Sequence, residues 1–122
     1  MNFVFSEEIK NHKKKGGPIL ALESTILAHG MPYPDNYKFA KTVEKNCRDM
    51  GVAPATIAIL DGRVHVGLNG RELKTICCSK KILKISKRDL SFAIAKSQSG
   101  ATTVSATIWV ASKAGISVFS TG

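Results

Sequence analysis

The sequence predicts an α/β fold, a mixed and partly parallel sheet flanked by helices. Three observations point there. Strand-like and helix-like patterns alternate along the chain, the order that builds helix-covered sheets. "ILAL", Ile19 to Leu22, is a short continuous apolar run suited to a strand covered on both faces. "TIAILDGRVHVGL" joins two β-branched, apolar segments through Asp61-Gly62, a two-residue hairpin signal, so one pair of strands is antiparallel.

Taken in order, Ser6 followed by Glu7 and Glu8 reads as an N-cap with an acidic first turn, opening a helix to about Lys15 that Gly16, Gly17 and Pro18 stop. Residues 1–17 are treated as an N-terminal helix and basic linker, and 18–122 as the α/β portion. After "ILAL", Pro32 and Pro34 prevent strand pairing, and residues 23–34 are expected to form a loop. From Asp35, the apolar Phe39, Val43, Cys47 and Met50 recur at helical spacing and Gly51 follows, which predicts an amphipathic helix buried along that stripe. In "RVHVGL" the alternation puts His65 on the polar side of its strand. Residues 71–79 suit a short helix and "ILKI" a short strand. Ser86, three residues before Asp89, resembles a capping box opening a helix that Gly100 breaks. "TTVSATIWVASKAG" predicts a helix with Val104, Ile108 and Ala111 on one side and Gly115 at its end, and "ISVFSTG" one more buried strand.

Composition narrows the function classes. With 122 residues and 43% hydrophobic content the chain suits one ordinary globular core. It has no apolar run of the ~20 residues a bilayer demands and no lysine-first secretory leader, so a cytoplasmic protein without membrane partners is expected. The 3 cysteines, Cys47, Cys77 and Cys78, form neither a CxxC pair nor an even set, which argues against a disulfide framework or a zinc site. The net charge of +9 invites nucleic acid, but most basic residues are scattered and few aromatics are available to stack bases; a phosphorylated small molecule satisfies the same charge. Phosphate-loop, dinucleotide, esterase-elbow and zinc-protease motifs are missing.

Ligands in such sheets collect at the carboxyl ends of strands. Three polar clusters are expected on that rim: Glu23-Ser24-Thr25 after "ILAL", Lys84 and Ser86 at "ILKI", and Thr121-Gly122 after "VFS". Glu23 is the sharpest candidate, because a carboxyl leaving a buried strand is partly desolvated and can hold and deliver a proton; a structural bridge to a lysine is the competing role. His29, flanked by Ala28 and Gly30, suits loop packing better than chemistry. Lys84 can hold a phosphate as a point charge or simply snorkel at a sheet edge. "GATTV" opens a helix after a glycine, so its free amides and the Thr103 hydroxyl can meet an anion, although ordinary capping accounts for them equally well.

"ALESTILAHGMPYPDN", "VAPATIAILDGRVHVGL", "KISKRDL" and "GATTVSATIWVASKAGISVFSTG" together resemble the pseudouridine-5'-phosphate glycosidases, the family that includes the indigoidine-cluster A proteins. The resemblance runs from about Pro18 to the end. It implies reversible cleavage of the carbon–carbon glycosidic bond of pseudouridine 5'-phosphate to uracil and ribose 5-phosphate. It also implies a lysine Schiff base on the opened sugar, a divalent metal such as manganese, and a homotrimer. By motif, Glu23 in "ALEST" matches the proton donor, Lys84 in "KISKRD" a substrate contact, and Val104 in "GATTV" a substrate contact through its backbone. Thr103 and Thr121 are added from the expected rim. The family's metal-binding aspartate and Schiff-base lysine have no matching position here, so the sheet is expected to be incomplete at its C-terminal end, the metal site absent and the lone chain inactive. The competing expectation is a small basic module that binds RNA or phosphate without catalysis.

Overall fold

The structure is a computed structural model describing residues 2–121. In chain order the elements are β1 (Phe3–Phe5), α1 (Glu7–Lys15), β2 (Ile19–Leu22), α2 (Thr25–His29), α3 (Asp35–Asp49), β3 (Ala53–Leu60), β4 (Arg63–Val66), α4 (Gly70–Cys78), β5 (Leu83–Ile85), α5 (Leu90–Ala95), β6 (Gly100–Thr102), α6 (Val104–Lys113) and β7 (Val118–Ser120). A single 3-10 turn, Lys87–Asp89, leads into α5. The mixed α/β architecture and the sheet flanked by helices are as the sequence predicts.

β3 is the spine. It is parallel to β2 and antiparallel to β4 and β6; β1–β4, β2–β7 and β5–β6 are parallel pairs. Its alternating side chains divide the core. Ala53, Ala55, Ile57 and Ile59 join residues of α5 and α6 and Ile9 of α1. Ala58 joins Leu27, Ala40, Leu73 and Ile76 from α2, α3 and α4. Local chemistry supports the elements. Ser6 Oγ accepts from Ile9 N (3.2 Å) and caps α1, and Asn69 with Glu72 forms a reciprocal capping box on α4. Asp61 and Gly62, at φ 49° and 76°, make the β3–β4 turn with both central residues left-handed. The Asp89 carboxylate accepts from Ser86 N (3.0 Å) and Ser86 Oγ (2.7 Å), which holds its pKa below the ordinary value.

The registers bring β2 and β6 nose to nose. Leu22 pairs with Thr56 and Ala101 with Ala58, while β4 fills the other edge of β3 along Ile57–Leu60. Two strands running in opposite directions therefore share one edge, and both must leave the sheet where their carboxyl ends meet. The ladder leaves the Ile57 carbonyl to hydroxyl groups: Ser24 Oγ (2.6 Å) and Thr102 Oγ1 (2.7 Å) both donate to it. Thr102 N donates to Ser24 Oγ (2.8 Å), Ser24 N donates to Thr102 O (3.3 Å), and the Thr107 hydroxyl lies 2.8 Å from that of Thr102. Ser24, Thr102 and Thr107 are completely buried.

Several expectations are corrected. Residues 23–34 are not all loop: Ser24 O accepts from Leu27 N and Ala28 N and starts α2, since the prolines lie downstream and bar only strand pairing. β1 and β6, each three residues long, fall where no strand was expected. Gly100 opens β6 rather than ending a helix. α5 stops at Ala95, and a Cβ on Gly100 would lie 2.3 Å from Ile85 Cδ1, so β5 and β6 approach this closely only at a glycine. The buried stripe of α3 is Asn36, Ala40, Glu44 and Cys47; Phe39 is 41% and Met50 74% exposed. Asn36 turns inward to donate to Leu27 O and Cys77 O, both at 2.7 Å, rotating the helix away from its apolar stripe. α6 buries Ala106, Thr107, Val110 and Ala111 instead of Val104 and Ile108, because Thr107 joins the hydroxyl cluster. Among the described residues β7 pairs with β2 alone, with Val118 exposed, and His65 is 8% exposed, its Nδ1 3.4 Å from Glu72 Oε2.

Replacing Thr102 with the near-isosteric valine leaves Ile57 with one hydroxyl donor. Thr102→Val is expected to cost about 1–3 kcal/mol in urea unfolding, whereas Thr75→Val, at an exposed hydroxyl that bonds only Arg71 O, changes stability by less than about 0.5 kcal/mol.

Candidate active site

Glu23 leaves β2 one residue before the hydroxyl cluster. Its side chain is half-buried and accepts from Thr121 Oγ1 at 2.5 Å, so the ends of β2 and β7 are tied together. The carboxylate borders a cleft of about 190 Å³. Ile26 of α2 and Phe39 and Val43 of α3 give it apolar walls, which explains why two large side chains of α3 face away from the core. Glu44 and Thr56 also line it. This is below the ~300–1,000 Å³ of clefts that enclose drug-sized ligands, so the space suits only a small fragment of such a ligand.

The other expected site residues sit across the strand junction. Lys84 is exposed on β5, opposite Ala101 in register. Thr103 is the N-cap of α6, its Oγ1 accepting from Ala106 N (3.4 Å) and its own N–H donating to Ile85 O (3.0 Å). Val104 opens that helix with its side chain exposed. None of these three borders the Glu23 cleft. The hydroxyl cluster joins the two groups, because Ser24 follows Glu23 directly and Thr102 precedes Thr103 directly. Thr121 lies with Glu23; Gly122 falls outside the described residues. His29 is exposed on the last turn of α2. Thr25 Oγ1 is the one buried side-chain oxygen or nitrogen among the described residues without a hydrogen-bond partner.

Sequence reasoning missed Glu44. It is 4% exposed, and both oxygens are engaged: Thr56 Oγ1 donates to Oε2 (2.8 Å) and Arg48 Nη2 to Oε1 (3.0 Å). Arg48 also clamps Glu8 of α1 through Nε (2.7 Å) and Nη2 (2.9 Å). Desolvation pushes the Glu44 pKa above its ordinary 4.5, and the Thr56 and Arg48 contacts only partly oppose it. The signal was a single acid on the buried face of α3, beside Asn36, Ala40 and Cys47, which only the true facing of the helix makes visible. Manganese finds no support in these side chains: among the described residues no three His, Cys, Asp or Glu group closely enough to hold an ion.

A carboxyl whose folded pKa is raised binds its proton more tightly folded than unfolded. Its stabilising contribution is full below pH 4.5 and is lost as pH rises through the folded value. Urea unfolding between pH 4 and 8 is expected to show wild type losing stability relative to Glu44→Gln as pH rises.

Comparison with known proteins places the chain among proteins of one family. A family model described as "Indigoidine synthase A like protein" matches residues 8–122. Pseudouridine-5'-phosphate glycosidase 1 of Rhizobium johnstonii is 48% identical over 118 residues, covering 97% of this chain and 37% of the relative. The pseudouridine-5'-phosphate glycosidase of Mycoplasmopsis agalactiae is 49% identical over 122 residues, covering 100% and 40%. Among solved structures, the prealnumycin C-glycosynthase AlnA in complex with ribulose 5-phosphate superposes with a TM-score of 0.86 at 36% identity, covering 100% of this chain and 39% of that one. An indigoidine synthase A-like protein of Thermotoga maritima gives 0.85 at 28% identity, covering 98% and 39%. The chain thus spans about two-fifths of the length of the relatives it matches. With the family model running through nearly all of the chain and through every element of the strand junction, the protein belongs to the indigoidine synthase A like family.

Proposed function

We propose that this chain supplies the proton-donor half-site of a pseudouridine-5'-phosphate glycosidase. The observation that carries the reading is Glu23, half-buried at the mouth of an apolar cleft and anchored by Thr121, in a chain about half identical to proteins named for that activity. In the cleavage direction the electron pair of the carbon–carbon glycosidic bond stays with the uracil carbon, which takes the Glu23 proton. A carbon leaving group departs poorly, so the sugar carbon needs an electron sink. The family resemblance assigns this to a lysine imine, whose hydrolysis consumes one water and releases ribose 5-phosphate. Lys84, the Thr103 hydroxyl and the amide of Val104 form the end that meets the 5-phosphate, as a point charge and helix-terminal donors. The pentose 5-phosphate held by the prealnumycin C-glycosynthase is consistent with this assignment. The imine lysine, the divalent metal and the homotrimer belong to the same proposal for the whole protein.

Titration of ¹⁵N-labelled chain with pseudouridine 5'-phosphate tests the half-site directly. Saturable amide shifts are expected at Glu23, Lys84, Thr103 and Val104, and Lys84→Met should weaken binding about tenfold, or about 1.4 kcal/mol. Shifts confined to other faces, or none, contradict the assignment.

A further inference from the structure

The Glu23 cleft has a floor whose hydrogen-bond polarity is set from below. Thr56 is 2% exposed and pairs in register with Leu22, the residue before Glu23. Both Thr56 and Glu44 border the cleft. A threonine hydroxyl has one proton and two lone pairs, and a carboxylate only accepts. In the ionised form of Glu44 that pairs with Arg48, the Thr56 proton is therefore spent on Glu44 Oε2 at 2.8 Å, and the hydroxyl has only lone pairs left to offer a ligand. Glu44 cannot turn away to release it, because its other oxygen is held by Arg48 Nη2 at 3.0 Å and Arg48 is itself pinned by Glu8. Burying a carboxylate among apolar side chains is costly, and a hydrophobic residue would fill the position as well for packing alone. The arrangement does what a hydrophobic residue does not: it fixes which way a hydroxyl points.

We propose that Glu44, acting through Thr56, makes the floor of the Glu23 cleft an obligate acceptor, so that the cleft selects a heterocycle presenting an N–H donor and discriminates against one in which that donor is blocked. Glu44 is a positioning residue and Thr56 the specificity-determining one. The identity of the ring rests on the function proposed above; the polarity argument rests on the Thr56–Glu44–Arg48 geometry.

Glutamine at position 44 separates this role from packing. Its carbonyl oxygen must face the Arg48 guanidinium, which places the amide N–H₂ against Thr56. Thr56 then accepts from Gln and its own proton is free to point into the cleft. A donor-selecting floor becomes one that tolerates acceptors, with nearly unchanged volume.

The test titrates the ¹⁵N-labelled chain at pH 8 with uracil and with 1,3-dimethyluracil, following the amides of Leu22, Glu23, Thr56 and Thr121. Wild type is expected to bind uracil at least about tenfold more tightly than the dimethylated ring, since a site built to meet a donor rejects the analogue lacking it. In Glu44→Gln the ratio should fall to within about threefold; Thr56→Ser should keep the wild-type ratio and Thr56→Val should lose it. A penalty arising only from the bulk of the methyl groups would persist in Glu44→Gln, and an unchanged ratio there overturns the proposal. Should Glu44→Gln fail to fold, the Thr56→Ser and Thr56→Val pair decides: equal ratios in the two overturn it. If pseudouridine 5'-phosphate moves the cleft amides but wild type does not distinguish the two rings, the selector alone falls. If no ligand moves them, the functional reading falls and the selector with it.

Discussion

The structure depends on a carbonyl that the sheet cannot satisfy. β2 and β6 approach along one edge of β3 from opposite directions and run out at the same point, leaving Ile57 O without a ladder donor. A buried, unpaired carbonyl costs a sizeable fraction of a small domain's stability. Here two hydroxyls replace the missing N–H, and because Ser24 and Thr102 also bond each other, the two chain exits are locked together. The short strands follow from this: neither can extend without meeting the other.

The geometry of the proposed site grows from the same constraint. Glu23 and Thr103 are the residues adjoining the locked pair, so a carboxyl and a helix N-terminus are delivered to opposite sides of one rigid joint. Rigid sites hold their groups in place before a ligand arrives, which is what proton transfer to a poor leaving group requires. On one side α3 completes the cleft, giving apolar walls through Phe39 and Val43 and a polar floor through Glu44. The helix is turned by Asn36, whose two donated hydrogen bonds hold α2 and α4 against it. Arg48 then carries that arrangement to α1 through Glu8.

Much of the fold was legible in the sequence because its signals are local. Ser6 with its acidic turn, Asp61-Gly62 and the apolar "ILAL" each act over a few residues, and each formed the element expected. What escaped notice was either too short or decided at long range. Three-residue strands such as β1 and β6 have no periodicity to detect. The facing of α3 and α6 follows apolar spacing in the sequence, but in the folded chain it is set by buried polar groups: Asn36, with partners 9 and 41 residues away, Glu44, with partners 4 and 12 residues away, and Thr107, which bonds Thr102 five residues away, itself tied to Ser24 78 residues off. Glu23 was readable as a candidate from its position after a strand. Glu44 was not, since an acid within a helix reads as surface until its neighbours are known.

The claim that Ser24 and Thr102 lock the strand junction is tested most directly by amide hydrogen exchange at Thr102, whose N–H donates to Ser24 Oγ. The account predicts that this amide exchanges as slowly as that of the fully buried Ile59 in β3, and that Ser24→Ala accelerates it by at least about tenfold while leaving Ile59 unchanged. Exchange at Thr102 as fast as at the exposed Val118 of β7, or indifferent to Ser24→Ala, would contradict it.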